Sequence, residues 1–132
     1  MLNHEEYLEL RKTIDELVEK SENGAIIVVE GVKDRNSLRS LGIQGDIIVF
    51  SSYTDIVDKI RDKDVIILTD YDDRGKKIEK ALVNKFSSWG ITPNTQIKKR
   101  IFKLVSKDIT TIENLAKYFF KVENEFKKRK IL

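Results

Sequence analysis

Cysteine is absent from this chain of 132 residues, and histidine occurs once, as His4. The first absence excludes disulfides, zinc ribbons and thiol nucleophiles. The second excludes a histidine-based catalytic triad and a multi-histidine metal centre. Any bound metal must therefore be held by oxygen ligands, which narrows the choice to Mg²⁺, Mn²⁺ or Ca²⁺. No apolar run approaches the ~20 residues that a membrane-spanning helix needs. The segment MLNHEEYLELRK (1–12) carries acids and has no apolar core, unlike a signal peptide. The expected compartment is the cytoplasm, with no membrane partner.

Charge, by contrast, is plentiful. Charged residues make up 36% of the chain and hydrophobic residues 40%, against roughly 25% charged in ordinary soluble domains. A dense charged surface over a normal core fits heat adaptation as well as it fits a plain lysine bias. The net charge of +3 permits a polyanionic partner without demanding one. The length suits one domain, and there is no internal repeat, low-complexity tract or linker.

Residues 5–20 place Tyr7, Leu10, Ile14, Leu17 and Val18 at helical spacing, and Gly24 ends that helix. AIIVV (25–29), DIIVF (46–50) and VIILT (65–69) are short, β-branched apolar runs bounded by turn residues, the pattern of buried parallel strands. Short helices are expected over 34–41 and 53–62, the latter with Ile56, Val57 and Ile60 on one face. A longer one is expected over 75–86, with Ile78, Ala81, Leu82 and Phe86 inward. Residues 97–105 read as a fourth strand, interrupted by lysines. A last helix starts at Thr110 or Thr111, with Ile112, Leu115, Phe119, Val122 and Phe126 inward, and KKRKIL forms a basic tail. This alternation predicts an α/β fold of the Rossmann-like kind, with about four mostly parallel strands covered by helices on both faces.

In such sheets ligands bind beyond the carboxyl ends of the strands. Glu30 directly follows the first strand, and Asp70, Asp72 and Asp73 follow the third. If those strands are neighbours, Glu30 and Asp70 face each other across a crevice. Clustered carboxylates repel and call for a cation, and Mg²⁺ uses one or two carboxylates while keeping water for substrate phosphates. Gly75 lets the chain turn into the next helix, whose N-terminus favours anions. Acids at strand ends also serve as plain helix caps. The pairing of Glu30 with the YDDRG turn (71–75 and its preceding Asp70) is what lifts this set above that role. Lys33, Arg35 and Arg74 are candidate phosphate contacts, though lone basic residues are more often surface charge. Trp89 and Tyr53 read as packing residues.

At IIVVEGVKD (26–34) and VIILTDYDDRG (65–75) the chain resembles the Toprim domain of topoisomerases, DnaG-type primases, OLD-family nucleases, RecR proteins and small ribosomal-RNA maturation nucleases. The two motifs cover about 25–105. The resemblance implies a single Toprim domain over 1–132, Mg²⁺ (or Mn²⁺) as cofactor, and nucleic acid, RNA or DNA, as partner. It implies Glu30 as general acid, general base or metal ligand, and Asp70 and Asp72 as metal ligands. Asp34 matches an acid that primases use four residues after the glutamate. Asp108 matches more loosely an acid after the fourth strand. Tyr71 stands where many members have proline. The zinc module, the strand-cleaving tyrosine domain and the extra RNA-binding domain have no counterpart here. The resemblance thus implies a bare catalytic core, a homodimer or a subunit of a larger complex.

Two functions follow as expectations. One is a Mg²⁺-dependent nuclease or phosphotransferase acting on nucleic-acid phosphodiesters, in which Glu30, Lys33 and Asp34 serve catalysis and Glu30, Asp70 and Asp72 hold the metal. The other is a non-catalytic nucleic-acid-binding or assembly module. A phosphoacceptor receiver domain fits poorly, because its paired acids follow the first strand. A haloacid-dehalogenase-type phosphatase fails on the same order.

Overall fold

The computed structural model describes residues 1–50, 60 and 62–131, with side chains as far as Arg129. The expected helix over 53–62, with Ile56, Val57 and Tyr53, falls mostly outside them; Ile60 is buried. The first helix, α1 (His4–Glu22), opens on a reciprocal cap in which Asn3 accepts from the Glu6 N–H and Glu6 accepts from the Asn3 N–H. This arrangement satisfies two of the donors that a helix start leaves open. Tyr7, Leu10, Ile14 and Leu17 form its buried stripe.

Strand β1 (Ile26–Val29) lies at the centre of the sheet, between β2 (Ile47–Val49) and β3 (Val65–Ile67), and pairs with both in parallel. All four β1 residues are buried, and their alternation sorts them between two cores. Ile27 and Val29 join α1 and the C-terminal helices on one face, while Ile26 and Val28 join Leu82 and Phe86 on the other. Helices α2 (Val32–Ser40) and α3 (Asp73–Ser88) leave the carboxyl ends of β1 and β3. Ala81, expected inward on α3, is exposed.

The expected fourth strand is a helix, α4 (Gln96–Val105). A strand would have put Lys99 and Lys103 on the same face as Ile97, Ile101 and Val105. The helix instead buries Ile97, Ile101, Phe102 and Val105 together and leaves Lys99 and Lys103 exposed. What remains beside β3 is one bridge, where Asn94 pairs in parallel with Ile66; its N–H donates to the Val65 carbonyl and its carbonyl accepts from the Ile67 N–H. Among the described residues, then, the fold is a three-stranded open parallel sheet flanked by helices. A 3-10 turn (Ile112–Asn114) leads into α5 (Leu115–Ile131), whose Leu115, Phe119, Val122 and Phe126 are buried as the spacing predicts. Among the described residues, no helix is long and apolar enough to cross a membrane.

Candidate functional site

The strand order β2-β1-β3 means that the chain leaves β1 toward one side and returns on the other. The crevice between β1 and β3 is therefore the switch point where ligands of parallel sheets bind. Glu30 and Asp70 meet there: the Asp70 N–H donates to Glu30 Oε2 at 2.7 Å. Asp70 in turn accepts from the Ile112 N–H at 2.8 Å, which ties the β3 turn to the 3-10 segment. Asp72 is the N-cap of α3 and accepts from the Gly75 N–H at 2.7 Å. Asp34, in the first turn of α2, accepts from the Gly31 N–H at 3.0 Å and is buried. Each of the four acids thus has a carboxylate oxygen fixed by backbone.

The four are close enough to act on one another. Burial pushes the Asp70 carboxyl up to about 6, the Ile112 N–H opposes this, and the charges of Asp34, Glu30 and Asp72 add to the rise. Burial likewise raises Asp34, with Glu30 and Glu113 adding to it against the Gly31 hydrogen bond. Among the described residues, none of these acids is paired with a lysine or arginine. Negative charge is concentrated at this edge without a counter-charge in contact among the described residues.

A UPF0292 protein of Archaeoglobus fulgidus is 45% identical to this chain over 118 residues, covering 89% of this chain and 95% of the relative. The chain belongs to the UPF0292 family. A UPF0292 protein of Methanocaldococcus jannaschii is 37% identical over 123 residues, with 89% and 95% covered. A solved structure of an Aquifex aeolicus protein superposes with a TM-score of 0.67 at 31% identity, covering 78% of this chain and 94% of that one. No family model matches. These findings correct the assignment to Toprim: the relatives carry the UPF0292 name, and nothing among them indicates a Toprim, primase or nuclease family. The two motifs are local features of a UPF0292 chain.

The remaining candidates fall into distinct places. Asp73 and Arg74 are exposed in the first turn of α3, and Lys33 is exposed in the first turn of α2. Asp108 is committed elsewhere: the Tyr118 hydroxyl donates to it at 2.6 Å and the Met1 ammonium lies 3.5 Å away, which together hold its carboxyl below the usual range. No fourth strand precedes it, so the reason for placing it at the sheet edge is gone. Trp89 packs edge-on against Phe86, as a packing residue should.

Several contributors carry no local sequence signal. Lys98 is buried under the turn; its Nζ donates to Thr69 Oγ1 at 2.9 Å and lies 3.3 Å from Glu79 Oε1. That carboxylate oxygen is buried without an aligned hydrogen bond, so the pair is held by charge more than by geometry. The Thr69 hydroxyl passes the network on to the Gly75 carbonyl at 2.9 Å. Tyr71 stacks on Phe102, with ring centres 5.1 Å apart, and Lys76 sits over its other face at 4.2 Å. Only the helical spacing of residues 97–105 could have revealed Lys98 as inward.

The donors suit a hard cation, since all are carboxylates in an electronegative crevice. Among the described residues, however, no three Asp, Glu or His side chains converge as a ligand cage would. This arrangement is compatible with Mg²⁺, which binds through one or two carboxylates and otherwise through water and substrate.

Proposed function

We propose that this chain is a Mg²⁺-dependent enzyme, also able to use Mn²⁺, that acts on the phosphodiester bonds of nucleic acid in the cytoplasm, alone or within a larger assembly. The observation that carries the proposal is the group of mutually repelling acids, without ion-pair partners among the described residues, at the β1–β3 switch point. Asp70 and Asp72 would hold the metal, with Glu30 beside them. The metal, when bound, supplies charge neutralisation at the phosphate and a positioned water. Glu30 already accepts a hydrogen bond within the crevice and is the group suited to move a proton there. The first turns of α2 and α3 open beside these acids, so their free N–H groups and Lys33 or Arg74 can bind phosphate oxygens. Asp34 holds the α2 start in place through Gly31.

A second proposal draws on the backbone hydrogen bonds of the same acids. If capping is their whole role, the chain is a non-catalytic nucleic-acid-binding or assembly module. The deciding experiment is cleavage of labelled RNA and single-stranded DNA with Mg²⁺, with Mn²⁺ and with chelator, for wild type and Asp70→Asn. Metal-dependent cleavage lost in Asp70→Asn supports the enzyme. Nucleic-acid binding that survives Asp70→Asn and Asp72→Asn, with no cleavage of any substrate, supports the module.

A further inference from the structure

Between α2 and α5 runs an open groove of about 510 Å³. Lys33 and Lys117 stand on its two walls, both exposed and neither in an ion pair among the described residues. Asn36 and Ser40 add hydrogen-bonding groups along α2. Phe120 forms one rim and is 40% exposed, set edge-on against the buried Phe119. Val32, beside Lys33, is 52% exposed. The exposed ring and the two lysines place a stacking face beside cations that have no ion-pair partner among the described residues. The groove is also continuous with the carboxylate edge: Lys33 neighbours Asp34, and Glu113 lines the groove while its charge acts on Asp34.

We infer that this groove is a track for single-stranded nucleic acid, with lysines on the backbone phosphates and Phe120 as a platform for one base. The inference rests on the phosphodiester proposal above and names its substrate as a single strand. The combination of separated cations and an exposed ring is what sequence-tolerant single-strand binding requires, because every base offers a face to stack. A duplex hides its base faces and would leave Phe120 without a partner. A strand lying here would pass Lys33 and bring a phosphate to the first turn of α2, beside Glu30 and Asp34.

The test is fluorescence anisotropy with labelled homopolymeric strands of about 15 nucleotides and the matching duplex. It is run in chelator over a salt series, so that metal chemistry plays no part. Wild type should bind the single strand more tightly than the duplex. Phe120→Ala should weaken single-strand binding about tenfold, and Phe120→Trp should restore it. Lys117→Ala should lower the salt slope by about 0.7. Equal or tighter duplex binding would overturn the inference, as would unchanged affinity in both Phe120→Ala and Lys117→Ala. So would a Phe120→Ala protein that turns from dimer to monomer by light scattering while keeping its oligonucleotide affinity, since the groove would then seat a second copy of the chain. Absence of cleavage with this binding pattern intact would remove the enzyme proposal and leave the groove standing.

Discussion

At Gly75 the first turn of α3 passes so close to the Asp70 carbonyl that a Cβ would overlap its oxygen and carbon. The glycine is needed for that contact and not for a left-handed turn, since its backbone is helical. Gly75→Ala should therefore destabilise the protein by about 1–3 kcal/mol in urea unfolding. An open helical site would instead gain close to 1 kcal/mol from the same change. Lys98 gives a second test at this scale. Lys98→Ala leaves Glu79 without its buried partner and Thr69 without its donor, and should cost about 3 kcal/mol. Asp70 gives a third. Its carboxyl is raised from 3.8 to about 6 by folding, so its contribution is fully present below the unfolded value and is lost as pH rises through the folded one. Asp70→Asn keeps an oxygen for the Ile112 N–H and removes the charge. In metal-free protein it should raise the melting temperature above pH 6, with the gain vanishing toward pH 4.

Elements show which local patterns determine structure unaided. β1 and β3 are readable because a continuous β-branched run between turn residues has few alternatives, and their ends locate Glu30 and Asp70 without further information. α1 and α5 are readable from their apolar stripes. Residues 97–105 are not, because Ile97, Ile101 and Val105 satisfy both a period of two and a helical period. The choice depends on whether Phe102 or Lys99 and Lys103 are buried, which only tertiary packing decides. Lys98 was hidden by the same ambiguity. Asp108 is a candidate through the resemblance alone, which calls for an acid after a fourth strand, and residues 97–105 form a helix instead. The Toprim resemblance likewise followed from two short motifs, whereas similarity along 89% of the chain places it in UPF0292. A substitution distinguishes the two conformations of 97–105 in solution. Lys103→Val on the exposed face of α4 should destabilise by about 0.5 kcal/mol in a helix, where a strand would gain from a β-branched residue.

On the scale of the whole molecule, the sheet brings together acids that lie 40 residues apart in the chain and that share no element. Two layers of helices hold them: α3 on one face, and α1, α2, α4 and α5 on the other. The net charge of +3 already includes the four crevice acids, so the remaining residues sum to +7, and the molecule carries a negative crevice within a net positive remainder. Such a distribution suits the proposed polyanionic substrate and the proposed cation. Calorimetric titration of Mn²⁺ into wild type and into the Asp70→Asn/Asp72→Asn double variant, above pH 7, tests this arrangement most directly. Saturable binding by wild type that weakens at least tenfold in the variant is the expected result. Equal binding by the two proteins, or none by wild type, would contradict it and leave the four acids as caps of the turns they hold.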